Sequence, residues 1–502
     1  MVRIFDSTLT LGEMVPGVSF GLEGKLEIAS HLDTLGVDVI EAGFPASSEG
    51  EKRVVKEIVR NVKRLSRSSS SPEICALARA IEEDVKAAIE TGVDSVDIFI
   101  PASRLLLERA YGMSEGEAKE RVRDAISLAK SHDLIVEFTV EDAGRSDELL
   151  WELCRIAEES GADRINLSDP VGAMLPDDAK RIVLEAKKRI RKPISVTFSN
   201  DFGMATANSI SAAIAGADQI HVSINGLGPK AGIAPLEQVV VGLKKLAGID
   251  TNVKMELLSS VSEAVERISG IPVNEISPVV GPLVFTYEAG VHVSAISNEP
   301  SSYEIVSPEE VGRVRRFWVG THSGRKAVKE VLKEMGYSAS DPDVERILAK
   351  VKELSQEGVR ITEAIFRSLV EEVLGEGPRL FKVKEWVSVT GSGITPTATI
   401  RASVGGREVI SSSIGVGPVD AITKAIRSIQ GIPSFNLRRF RLVAVSSGSE
   451  AIAELKIRVV GPKGEVEATG TSRDIIDASV KAIEEAVNKI IPRESLSRAP
   501  QL

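Results

Sequence analysis

Aromatic residues are scarce in this chain: Phe, Trp and Tyr together make up 4% of its 502 residues. A surface that stacks successive nucleobases needs aromatic faces, so single-stranded nucleic acid is excluded as the main partner. Positive charge is not in excess either, with 62 Lys and Arg against 72 Asp and Glu and a formal net charge of −10. Phosphate backbones are bound by clustered cations, so no nucleic acid partner is expected. Cysteine occurs only as Cys75 and Cys154, each inside an apolar segment. This excludes a disulfide framework and predicts buried free thiols in a reducing compartment. The five histidines, His31, His132, His221, His292 and His322, include no pair at His-x-His or His-x-x-x-His spacing, so no imidazole metal motif is readable. No apolar run reaches transmembrane length and the N-terminus lacks a signal-peptide layout, which predicts a cytoplasmic protein with no membrane partner.

What is present is an ordinary globular composition, 43% apolar and 27% charged, in a chain too long for one core. Short β-rich runs alternate with longer amphipathic stretches. The runs are VRIF, VDVIEAGF, EICALAR, SVDIFI, LIVEFTV, DRINLS, ISVTFS and QIHVSI. Stretches such as EGKLEIASHLDTLG and EAKERVRDAISLAKSH lie between them, with apolar residues at three- and four-residue spacing. Eight such strand–helix units predict a (β/α)8 TIM barrel over residues 1–270, whose ligand site lies at the C-terminal ends of the strands. Those ends read DSTLTLGE, EAGFP, ARA, PAS, EDAGRSD, SDPVG, SNDFG and NGLGPKAG. Singly, such residues make turns and helix caps; eight together at the expected places predict a pocket. A helical connector region is expected over 271–377, then a duplicated β-β-α domain over 378–494 with a hairpin turn at Gly405-Gly406.

The segments RIFDSTLTLGEMVPGVSF, LDTLGVDVIEAGFPASSEGE, ICALARA, EFTVEDAGRSD, RINLSDPVG, SNDFGMATANS, NGLGPKAG, GVHVSA and VGTHSGR together resemble the 2-isopropylmalate, homocitrate and citramalate synthases. The tail segments GVGPVDAITKAI and GTSRDIIDASVKAI resemble the allosteric amino-acid-binding domain of the isopropylmalate and citramalate synthases. The resemblance implies condensation of acetyl-CoA with a 2-oxo acid, in branched-chain amino-acid biosynthesis. In that reaction a divalent metal acts as Lewis acid and template, and a base takes a proton from the acetyl methyl.

Several positions depart from the family pattern. Thr10 and Leu11 stand where it has an arginine that binds the oxo acid and an aspartate that binds the metal; Thr197 and Ser199 replace two metal-binding histidines, and Ile233 an asparagine. Zinc or magnesium held at about 2.0–2.2 Å needs charged or imidazole donors, which hydroxyls and aliphatics do not supply. No cofactor is therefore predicted, and a relocated site built from Glu41, Glu141 and Asp201 is the one alternative readable in the residues. Glu141 matches the family's catalytic glutamate and His292 the histidine assigned to acetyl-CoA activation. Each has a plain alternative, a helix-capping acid for Glu141 and a hydrogen-bonded loop residue for His292. Thr10, Glu41, Arg79, Asn200 and Asp201 are expected to line the pocket.

Two functional expectations follow. The first is a non-catalytic or regulatory relative that has lost the metal-dependent step, works as a homodimer or as a heteromer with an active synthase, and binds an amino-acid effector at its tail. The second is an active synthase with an atypical or metal-independent site, taking acetyl-CoA and a 2-oxo acid. A small-molecule sensor using the tail alone is a variant of the first.

Overall fold

The computed structural model describes residues 1–65, 71–375, 379–444, 452–462 and 464–491. The proposed boundary at 377–378 and the final residues 492–494 of the expected tail domain lie outside them. Eight parallel strands close into a barrel in sequence order: β1 (Arg3–Asp6), β2 (Val39–Glu41), β3 (Glu73–Arg79), β4 (Ser95–Pro101), β5 (Ile135–Glu141), β6 (Arg164–Asp169), β7 (Ile194–Phe198) and β8 (Gln219–Val222). β1 closes the ring against β8, with Phe5 opposite His221 and Asp6 opposite Val222. Each of the eight β-rich runs is a strand. The sequence signals that end the intervening helices are local: Gly36 at φ 89° stops Gly21–Leu35 in a left-handed cap that L-residues with a Cβ avoid. Ser114 accepts the Glu117 N–H to start Glu115–Lys130.

Side chains alternate in and out along each strand, and the two sets differ in kind. Ile4, Ile40, Ile74, Ala76, Val96, Ile98, Val136, Phe138, Val140, Ile165, Val196 and Ile220 join the apolar core between strands and helices. The alternate set, facing the lumen, is mostly polar: Arg3, Glu73, Asp97, Glu137, Asn166, Thr197, Gln219 and His221. Phe5, Val39 and Cys75 form a small separate apolar cluster within it. Cys75 and Cys154 are both buried and unbridged.

By contacts the chain forms two compact units, Met1–Thr286 with Glu304–Arg315, and Tyr287–Tyr303 with the residues from Arg316 onward. In the second unit, helices Arg325–Glu334, Asp341–Gln356 and Glu363–Leu374 share a core of Val328, Leu332, Ile347, Val351, Phe366 and Val370. The tail holds two antiparallel three-stranded sheets, each followed by a helix, Pro418–Arg427 and Ile475–Ile490. EWVSVTG is itself a strand, so each copy of the repeat is β-β-β-α, one strand more than the β-β-α pattern read from sequence. Gly405 and Gly406, both at positive φ, make the tight turn between Val404 and Arg407. Among the described residues no helix is long and apolar enough to cross a membrane.

Candidate functional site

The lumen floor, at the N-terminal ends of the strands, is a closed ion network. Arg164 donates to Glu137 from Nε (2.9 Å) and to Glu73 from Nη2 (2.7 Å) and Nη1 (3.1 Å). Arg3 reaches Glu73 at 3.0 Å. The Gln219 amide donates to both oxygens of Glu137, and His221 Nε2 lies 2.8 Å from its Oε1 with the imidazole stacked on Phe5 at 3.8 Å. Burial alone would raise the Glu137 carboxyl, but His221 and Arg164 hold it far below the usual range. One layer higher, Thr139 donates to Asp97 at 2.6 Å, and Asn166 donates to Thr139 and Thr197 at 2.9 Å each.

The top of the lumen, at the C-terminal strand ends, is different. Glu41 ends the inward row of β2; it is 3% exposed and its Oε2 has no hydrogen-bond partner. Burial pushes it up to about 8, against the Thr10 and Ser7 hydroxyls that favour the anion; the Glu137 and Asp6 charges push it further the same way. Thr10 is buried, and its hydroxyl donates to the Glu41 main-chain oxygen at 3.2 Å. Glu141 ends the inward row of β5, half-buried, raised to about 7 by burial and by the Asp142 charge. It caps no helix: the helix Glu148–Glu159 that follows is capped by Asp147, whose carboxylate accepts from Leu149.

The other expected pocket residues are tied elsewhere. Arg79 is clamped by Asp84, which accepts from its Nε at 2.7 Å, its Nη2 at 2.9 Å and its main-chain N–H at 3.0 Å. It lines a cavity of about 480 Å³ with Pro45, Lys52 and Ile81, between the loops after β2 and β3. Asn200 accepts from Ala205 N–H at the start of helix Ala205–Ile214. Asp201 binds Lys230 through both oxygens, at 2.7 and 2.8 Å. His292 is not a loop residue: it lies in helix Gly290–Asn298 of the second unit, exposed, with its ring 4.6 Å from that of Tyr303. The barrel unit thus holds Glu141 and Glu41, while His292 belongs to the other unit.

The positions matched to metal ligands supply no charged or imidazole donor. Thr197 is engaged with Asn166; Ser199 and Ile233 face each other across an antiparallel bridge and are both buried; Leu11 offers only carbon. Among the described residues no three of His, Cys, Asp and Glu are gathered to hold a metal ion, so Glu41, Glu141 and Asp201 form no relocated site. The donor set does not fit the family's divalent metal. Asp6, at the end of β1 in the segment whose residues are arranged as though to build a site, is buried and raised to about 7 by burial; sequence reasoning missed Glu237, buried and raised to about 7 in the same way. It also missed the Arg164–Glu137–Glu73 network, whose one signal was charge in the middle of β-rich runs.

Comparisons with known proteins bear on the whole chain. The HMGL-like family pattern matches residues 1–265, a homocitrate synthase post-HMGL domain-like pattern 279–359, and a LeuA allosteric (dimerisation) domain pattern 360–491. A protein of Methanopyrus kandleri named "Probable 2-isopropylmalate synthase" is 42% identical over 98% of this chain and 99% of its own length. The chain belongs to the 2-isopropylmalate and citramalate synthase family. A second relative of that name, from Archaeoglobus fulgidus, is 40% identical over 98% of this chain and 97% of its own. The (R)-citramalate synthase of Methanocaldococcus jannaschii is 40% identical over 98% of this chain and all of its own length. Family membership extends from the barrel through the connector to the tail.

Proposed function

We propose that this family member keeps the synthase scaffold without the family's metal-dependent condensation, and serves as a non-catalytic or regulatory relative. The observation that supports this is the donor set at the top of the lumen: Leu11, Thr197, Ser199 and Ile233 offer two hydroxyls and no charge, and Thr10 stands where the family binds the oxo acid by an arginine. A preorganised electrostatic donor is commonly worth about 10²–10³ in rate, so losing a metal and a guanidinium together removes most of the stabilisation of a developing enolate or alkoxide. On this reading the tail, matched by the allosteric and dimerisation pattern, binds an amino-acid effector and joins the chain to a copy of itself or to an active synthase.

A second reading, an active 2-isopropylmalate, citramalate or homocitrate synthase with an atypical metal-independent site, is favoured by the full-length likeness to relatives named as synthases. That likeness weighs toward activity as strongly as the donor set weighs against it. Glu141, raised to about 7, would then be the base, since a group titrating near the working pH suits proton transfer. Thiol release from acetyl-CoA, measured with Mg²⁺, Mn²⁺ or Zn²⁺ and with pyruvate, 2-oxoisovalerate or 2-oxoglutarate, separates the two. No oxo-acid-dependent release is expected on the first reading. Release that disappears in Glu141→Gln would establish the second.

A further inference from the structure

The top of the lumen differs from an oxo-acid site in sign as well as in donors. Glu41 and Glu141 end the inward rows of β2 and β5, and the buried Oε2 of Glu41 has no partner. The groups that bear electrostatically on Glu41 are Glu137 and Asp6, with Asp97 also interacting with it, and the one on Glu141 is Asp142; all are acids. Cations are present at this end, but they are committed to other carboxylates. Lys25 bridges Glu13 (2.7 Å) and Glu51 (2.6 Å); Arg79 holds Asp84; Arg104 reaches Asp147 at 3.2 Å; Arg145 grips Asp142 at 2.7 and 2.8 Å; and Lys230 holds Asp201. The guanidiniums of the lumen itself, Arg3 and Arg164, lie at the opposite end on Glu73 and Glu137.

The remaining inward side chains near this end are apolar or hydroxylic. Leu77 of β3, Phe99 of β4 and Thr197 of β7 point inward yet are only half-buried, so the mouth they face is open to solvent. Such a mouth is mismatched to a small carboxylate, which would enter low dielectric beside acids and without a counter-charge. An ammonium group is matched. It supplies the orphaned Glu41 oxygen with a charge-assisted donor, while an alkyl body packs on Leu77 and Phe99 and the cation can lie over an aromatic face.

We propose that the mouth of this barrel binds a small ligand with a primary ammonium group and an apolar body, and discriminates against 2-oxo acid anions. The proposal rests on the reading that the family's oxo-acid site is lost, and it adds the charge of what replaces it. An amine is specified over an amino acid because every guanidinium or ammonium named at this end already has a carboxylate.

The test is calorimetric titration of the full-length protein at pH 9, where Glu41 and Glu141 are ionised and an alkylamine still carries its proton, with three probes of like shape: isobutylamine, isobutanol and 2-oxoisovalerate. One-to-one binding of the amine at least tenfold tighter than either other probe is expected. Glu41→Gln and Glu141→Gln should each weaken it at least tenfold, with near-UV circular dichroism unchanged. If neither the amine nor the oxo acid binds, the amine proposal is overturned and the loss of the oxo-acid site stands. If the oxo acid binds in preference, both are overturned. Amine binding unaffected in both variants would remove the ligand from this mouth and overturn the proposal as well.

Discussion

Glu137 and Glu141 stand four residues apart on β5, point into the same lumen and titrate in opposite directions. Both are desolvated. At the floor, His221 and Arg164 overcome burial and keep Glu137 ionised; at the mouth nothing positive opposes burial, and Glu141 rises to about 7 and Glu41 to about 8. One strand therefore runs from a saturated ion network to an unsatisfied acid end. A buried carboxyl stays ionised where the chain itself supplies its counter-charge, and it is pushed toward its neutral form where the chain does not.

The sharpest way to break the floor half of that comparison is Arg164→Met, which leaves Glu73 and Glu137 buried beside each other with fewer cations. Removing one partner of a buried pair costs about 3–5 kcal/mol, so the barrel's urea transition should move down strongly. A change under about 1 kcal/mol would show that the network is not what anchors the floor.

At the mouth the expected sign is reversed. Folded Glu41 keeps its proton up to about pH 8, whereas its ordinary value is 4.5; unfolding therefore releases a proton between these values, and stability falls as pH rises across that window. Glu41→Gln removes this slope. The variant should be more stable than the parent at pH 8, by on the order of a few kcal/mol since each pKa unit is worth about 1.4, and close to it at pH 4.5. Parallel urea curves at the two pH values check this, and a variant destabilised at pH 8 would mean that Glu41 has a cationic partner. Glu141→Gln should act the same way over a shorter window, from about 4.5 to about 7, and by less, because Glu141 is partly solvated.

The smallest effect belongs to a charge pair outside both layers. Lys230→Met breaks the Lys230–Asp201 pair, whose lysine is 48% exposed, and exposed pairs are worth about 0–1 kcal/mol. A thermal-melt shift comparable to that of Arg164→Met would upset the ranking of buried over exposed pairs.

Much of this was legible in the residues. The eight β-rich runs are the eight barrel strands, because each is short, β-branched and bounded by turn residues, and the family resemblance in the barrel and tail segments agrees with the matched patterns. The extra strand of each tail repeat was harder to count: in the first copy it is Phe381–Gly391, whose residues beyond Phe381 are exposed or half-buried and carry little hydrophobic signal. Side-chain commitments were not legible. Arg79 and Asp201 stand at strand ends as expected, but the strand-end motifs do not name the partners that tie them: Asp84 lies five residues on, in the helix Glu82–Ile89 that follows β3, and Lys230 comes from the loop after β8. The ion network was invisible for a related reason: Glu73, Glu137 and Arg164 lie on three strands far apart in sequence, and a charged residue inside a β-run does not say which way it faces.

The proposed function turns on whether the replaced ligand positions of this barrel still hold a divalent metal. The most direct measurement is a Mn²⁺ titration followed by electron paramagnetic resonance, comparing the natural chain with a variant carrying Leu11→Asp, Thr197→His, Ser199→His and Ile233→Asn. The account predicts free-ion signal throughout for the natural chain and stoichiometric loss of that signal for the rebuilt one. Stoichiometric Mn²⁺ binding by the natural chain would contradict it.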